Sequence, residues 1–373
     1  PGVGQAAESP CEGDGAGESS CDEFELILEH VLVTATRRES PVNEVPLSVT
    51  ALGGERLREM GALVFEDYAR SVPGLSFTDV GLGGKKFVIR GISTTVFAES
   101  RAATAVYLDE TPVTDGGFGG LSFSPDPLLV DIDRVEVLRG PQGTLFGAGA
   151  MGGAIRIISN QPNVLETQGF AEAGVSATSH GGPGYEVQGM FNTPLFEGQA
   201  AIRGVALFRD LGGWIDNTLL GNRDVNNNEN VALRLAGTWS GSERLTVNAK
   251  VAYQDRQSEG NGFDEGGPPW TQQRRVPEPN RDEWSLLNLD IYYRFGWGRL
   301  ISATSLVDRT TSHDADATRF YLGPASSTTV TAISEGKQQD FVQEIRLQST
   351  GEGSLDWLLG LFYKDQDYRL DHE

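Results

Sequence analysis

The sequence predicts an α+β domain followed by the antiparallel strands of a transmembrane β-barrel. Three observations carry this expectation. Up to about residue 165, one helix-spaced run is mixed with short, β-branched strands. From about residue 166, segments of roughly ten residues alternate apolar and polar side chains, separated by turns or long polar loops. No apolar run approaches the roughly 18 to 20 residues that a membrane-spanning helix needs. The mean hydropathy of −0.28 is what alternating strands give on averaging.

The composition excludes several functions. A net charge of −22 over 373 residues argues against binding a phosphate backbone, so nucleic acid is not an expected partner. His30, His180, His313 and His372 lie far apart, no thiol pair accompanies them, and there is no GxSxG elbow. The chain therefore offers no catalytic set, no metal site and no cofactor site, and an enzyme is not expected. It begins at Pro1 without a signal-like stretch and so reads as processed or incomplete at that end.

Residues 1–28 are rich in Gly, Glu and Ser, with too little apolar surface to offset the entropy of ordering, and are expected to be disordered. Cys11 and Cys21 flank an acidic stretch there. They form either a disulfide, in an oxidising compartment, or a loose local loop. Residues 29–40 begin as an extended β-branched run, "EHVLVTATRRES". Residues 41–165 form a compact mixed domain. In it, Leu57, Met60, Leu63, Val64 and Tyr68 share a helical face that Pro73 and Gly74 end, and strands follow at "KFVIRG", "TAVYLDETPV", "DRVEVLRG" and "GAIRIIS".

Gly147, Gly149 and Gly152 spell GxGxxG, and Glu166 stands near the spacing of a ribose-binding acid. A dinucleotide site needs a helix next, whose amides face the pyrophosphate. Here the chain continues Ala154, Ile155, Arg156, Ile157, Ile158, a strand, and then turns at Asn160–Asn163. The glycines instead suit a crowded turn between two strands, formed by Gly140, Gly143, Gly147, Gly149, Gly152 and Gly153.

Residues 166–373 read as a partial barrel. Leu245, Val247, Ala249, Val251 and Tyr253 share one face of a strand, while Thr246, Asn248, Lys250 and Ala252 share the other. A one-residue slip would place Arg234, Lys250, Asp290 and Arg294 in lipid, at roughly 2 to 4 kcal/mol for a basic residue near the midplane. Trp239, Tyr253, Trp284, Phe295, Trp297 and Trp357 fall at strand ends, as an interfacial girdle would. A soluble β-sandwich alternates in the same way, so a soluble, secreted β-rich binding protein is the alternative from another class.

The motifs from Glu29 onward resemble those of TonB-dependent outer-membrane receptors. "EHVLVTATR" is similar to the family's TonB box. "PLSVTALGGERLREMGALVFEDYARSVPGLSF", "FVIRG", "AVYLDETPV" and "DRVEVLRGPQGTLFGAGAMGGAIRIIS" resemble successive signatures of its plug domain. One departure is "LDETPV", where many members carry Asp-Gly and this chain has Glu110, which implies a different turn geometry. The resemblance implies a 22-stranded barrel with the plug inside it. The 208 residues after residue 165 hold about nine strands, whereas 22 would need about 500 residues at that rate. The C-terminal "YKDQDYRLDHE" also lacks the terminal aromatic residue common in the family. The chain is expected to be a fragment with the plug and less than half of the barrel.

The same resemblance implies active import of a scarce nutrient across the outer membrane of a Gram-negative bacterium, most often a ferric siderophore, with cobalamin or an oligosaccharide as alternatives. Energy would come from TonB with ExbB and ExbD. The TonB box would be Glu29, His30, Val31, Leu32, Val33, Thr34 and Ala35, on the periplasmic side, pairing as an added strand. Arg90 and Arg139 resemble plug arginines that latch onto barrel glutamates. Phe97, Arg101, Phe118 and Phe123 lie in loops expected to contact the substrate, while lipid surrounds the barrel.

Overall fold

The computed structural model describes residues 32–79, 85–93, 102–114, 125–196, 198–260, 262, 268–323, 326–350 and 355–372. The segment 1–28, the predicted box residues Glu29, His30 and Val31, and all four predicted substrate contacts lie outside the described residues.

The chain enters through β1 (Leu32–Val33), paired antiparallel with β2 (Ser40–Pro41). The extended run expected through Ala35 stops at Val33. The Thr34 amide donates to the Glu136 side chain at 2.9 Å instead of to a ladder, and Arg37 N then closes a turn onto Thr34 O at 2.9 Å. After β3 (Ser48–Gly53) come two short helices, α1 (Gly54–Glu59) and α2 (Phe65–Ala69), where the spacing predicted one. Gly61, at φ 64°, ends the first. Asp67 starts the second by accepting the Leu63 and Val64 amides at 2.8 and 2.9 Å.

The domain continues through β4 (Leu75–Asp79), β5 (Lys85–Ile89), β6 (Thr104–Leu108), β7 (Thr111–Pro112), β8 (Ile132–Arg139), α3 (Gly143–Phe146) and β9 (Gly153–Ser159). Strands β4 and β5 form a separate hairpin, and the others form a five-stranded sheet in the order β3-β8-β9-β6-β7. Its core packs Phe65, Tyr68, Phe87, Ile89, Val106, Val135, Val137 and Ile155. Burial of each such side chain contributes about 1.5 to 3 kcal/mol.

Then follow β10 (Gln168–Ala177), β11 (Pro183–Leu195), β12 (Ala200–Leu211), β13 (Asp216–Asn217), β14 (Asn228–Ser242), β15 (Leu245–Ser258), β16 (Thr271–Gln272), β17 (Asn280–Arg294), β18 (Gly298–Asp316), α4 (Thr318–Leu322), β19 (Thr331–Ser349) and β20 (Leu358–His372). Nine of these strands, all but β13 and β16, form one antiparallel meander in chain order, matching the count expected from sequence. The sheet is open, with β10 and β20 at its edges. At one end the strands are joined by residues 196–199, 243–244, 295–297 and 350–357. Most of the connections at the other end are long, and those spanning 212–227, 259–279 and 317–330 hold β13, β16 and α4.

Which face is apolar separates a barrel from a sandwich. Val251 is 51% exposed on the outside, whereas its neighbour Lys250 is 6% exposed and faces the N-terminal domain. Leu235, Leu287, Leu289, Leu306, Ile345 and Leu361 likewise point outward, and Arg203, Gln254, Asp290 and Arg346 point inward. A sandwich would bury the apolar face, but here the charged face is buried against a plug and the apolar face is left for lipid. One girdle expectation is corrected. Trp284 faces inward, buried with Leu286 and Ala252 against the plug core, because that level of the inner wall meets apolar plug residues. Phe295 stacks on Trp297 at 5.2 Å, close to Trp357, by the short connections.

Candidate functional site

The seam between plug and sheet is built from buried ion pairs, and most of them put the acid on the plug and the base on the barrel. Asp131 immediately precedes β8, in the left-handed region at φ 53°, a conformation that Asp tolerates better than most residues. Its carboxylate accepts from Arg203 on β12 at 2.7 and 2.6 Å, from Arg234 on β14 at 3.1 Å and from Asn160 at 2.9 Å. Five residues earlier, Asp126 accepts from Lys85 at 2.6 Å, from Arg256 on β15 at 3.1 Å and from the Phe65 amide at 3.1 Å. Burial would raise the Asp126 pKa, but Lys85 and Arg256 more than offset this and lower it. The backbone between them is held as well, since Gln254 exchanges hydrogen bonds with Leu128 N and Asp126 O.

A second group surrounds the turn between β6 and β7. Asp109 pairs with Lys250 on β15, which also donates to Ser159 Oγ at 2.7 Å. Glu110 Oε2 accepts from Arg37 at 3.0 Å and from Arg346 on β19 at 2.6 Å, and Arg156 lies 3.7 Å from the other oxygen. Burial would raise the Glu110 pKa, but the Arg346, Arg37 and Arg156 guanidinium groups prevail and lower it to about 2. Arg37 also lies 3.5 Å from Glu344 on β19 and stacks over Phe146 and Tyr107. Fully buried Glu136 collects Arg134, Arg156 and Thr34. Beside this turn, a polar cavity of about 490 Å³ lies between the plug and strands β15, β17 and β18, lined by Thr34, Asp109, Glu110, Asp290, Tyr292 and Arg299, among others.

The described part of the predicted TonB box is docked. Val33 and Ala35 are fully buried with Leu138, Tyr107 and Phe146, while Leu32 is half-exposed. Arg38 pairs with Asp356 at 2.5 Å and donates to Trp357 O at 2.6 Å, which places this segment at the short-connection end. Arg139 donates to Pro73 O at 3.0 Å, and Arg90 is exposed with φ 52°. Among the described residues, neither is in an ion pair with the barrel. The glycine turn connects β8 to β9, with Gly149 at φ 87° and Gly153 at φ 150°. A Cβ on Gly153 would come 2.1 Å from Leu138 O.

Sequence reasoning missed Arg37, Asp109, Asp126 and Asp131, and treated Glu110 as a turn variation only. The available signal was an acid at the edge of an apolar strand, as in "YLDET" and "LLVDIDRV". Buried charges of that kind persist only when paired.

Residues 41–154 match the TonB-dependent receptor plug domain family. The chain is 28% identical over 269 residues to the pesticin receptor of Yersinia enterocolitica, covering 68% of this chain and 38% of that protein. It is 26% identical to a vitamin B12 transporter of Vibrio vulnificus, covering 64% and 44%. Its fold is similar to the crystal structure of the ferric yersiniabactin uptake receptor of Yersinia pestis, with a TM-score of 0.74 at 21% identity, covering 87% of this chain and 49% of that one. The chain thus spans less than half the length of the curated relatives it matches. With its inward charged wall and its outward apolar face, the chain matches a fragment of a TonB-dependent receptor, in which residues 41–154 are the plug domain and nine antiparallel strands follow.

Proposed function

We propose that this chain is part of an outer-membrane transporter that imports a scarce nutrient, a ferric siderophore first, under the pull of TonB with ExbB and ExbD. The observation that carries the proposal is the docking of Thr34, Ala35 and Arg37. The segment that TonB would seize is bonded through Glu136, Glu110 and Glu344 both to the plug sheet and to β19. A pull on Leu32 and Val33 therefore loads the plug–barrel seam directly. The outer membrane offers no ATP, so work done at the plug has to arrive mechanically. The short-connection end, where the box sits, would face the periplasm and the long loops would face outward.

Substrate class rests on likeness alone. The ferric yersiniabactin uptake receptor favours an iron chelate, and the vitamin B12 transporter supports cobalamin as the second reading. Tryptophan-quenching titrations of the full-length receptor with ferric siderophores and cobalamin would separate the two. A peptide of residues 27–38 should bind the C-terminal domain of TonB. No binding at millimolar peptide, together with unaltered uptake in a Val33→Pro variant, would overturn the role given to the box.

A further inference from the structure

We propose that Glu110 is the coupling residue of this receptor, the carboxylate through which displacement of the N-terminal segment reaches the barrel contact holding the β6–β7 turn. The proposal rests on the import reading and adds a residue to it. At this turn the Glu110 side chain occupies a junction. A single oxygen, Glu110 Oε2, is shared by Arg37, two residues past the predicted box, and by Arg346 on the barrel wall. The turn is also strapped across an arc of that wall. Asp109 binds Lys250 on β15, Thr111 Oγ1 lies 2.7 Å from Ser305 Oγ on β18, and Glu110 binds β19. Asp109 and Glu110 both line the 490 Å³ cavity, so release of this strap would enlarge a space that already exists between plug and wall.

The neighbouring charges supply a handover. Glu344 lies 3.5 Å from both Arg37 and Arg346. When Arg37 is drawn away, Glu344 keeps, among the described residues, Arg346, and Glu110 keeps Arg346 and the more distant Arg156 at 3.7 Å. Glu110 and Glu344 then share Arg346 without the positive charge of Arg37 to offset their mutual repulsion, and the hold on the turn weakens. A glycine at position 110 would leave Arg37 and Arg346 facing each other without that anion.

The test uses the full-length receptor in outer membranes, with every native cysteine replaced by serine and a thiol reporter introduced as Thr36→Cys. Glu110→Gln, Glu110→Gly and Arg346→Gln should each raise the ligand-free labelling rate at position 36 at least tenfold. Glu110→Gln combined with Arg346→Gln should label no faster than the faster single variant, because both cut one connection. Labelling at the parent rate in Glu110→Gln, with the plug still protease-resistant, would overturn the proposal. Should Glu110→Gln fail to retain a resistant plug, Glu110→Asp keeps the charge but shortens the reach, and the same two outcomes decide. Labelling needs neither ligand nor TonB. A parent receptor that takes up no chelate would sink the import reading while leaving this measurement intact.

Discussion

Asp131 on the plug accepts a two-pronged charge-assisted hydrogen bond from Arg203 on β12, at 2.7 and 2.6 Å, with the carboxylate 1% exposed. Arg234 closes on the same group. Asp131→Ala would leave both guanidinium groups buried without a counter-charge, at a cost of about 3 to 5 kcal/mol. Hydrogen exchange in residues 125–139 should speed up accordingly. Asp131→Asn, which keeps the shape and one acceptor, should cost less. Equal exchange in Asp131→Ala and the parent would mean that the plug is held elsewhere.

Glu110 makes plug stability depend on pH in a stated direction. Its folded pKa of about 2 lies below the ordinary 4.5, so its contribution is fully present above pH 4.5 and is lost as the pH falls toward 2. The difference corresponds to about 3 kcal/mol. Denaturant midpoints of plug unfolding, compared between the parent and Glu110→Gln, should converge as the pH drops from 5 to 3. A constant gap over that range would contradict the assignment.

Gly153 should tolerate no side chain. Its φ is 150°, and a Cβ added there would stand 2.1 Å from Leu138 O, so Gly153→Ala must shift β8 against β9. A loss of about 2 kcal/mol or more is expected, read as protease sensitivity of the plug. Gly147→Ala, where φ is 66° but the space is open, should cost less.

Outward and inward positions on β14 should respond oppositely. Leu235→Arg puts a charge into the lipid face, at about 2 to 4 kcal/mol near the midplane, and should impair assembly of the full-length barrel. Arg234→Leu should leave assembly intact but remove a contact to Asp131. Heat-modifiable mobility on gels reads the first effect, and hydrogen exchange at Asp131 reads the second.

Local patterning along the chain was enough to give the architecture. Period-two alternation in strands such as Leu245–Tyr253 required one apolar face, and β-branched residues after Gly153 required a strand where a nucleotide site needs a helix. Both are local constraints of pleat and side-chain crowding, legible in any ten residues. The helix pattern through Tyr68 failed because one left-handed glycine outweighs periodicity.

The site, by contrast, depends on contacts between segments far apart in the chain. Asp131 meets Arg203 across 72 positions, and Glu110 meets Arg346 across 236. A lone acid at a strand end looks the same in sequence whether it is solvated or clamped by arginines. Pairing across such separations is fixed by how the plug seats in the barrel, and that seating is set by burial: charges cannot enter the seam unless their partners arrive with them.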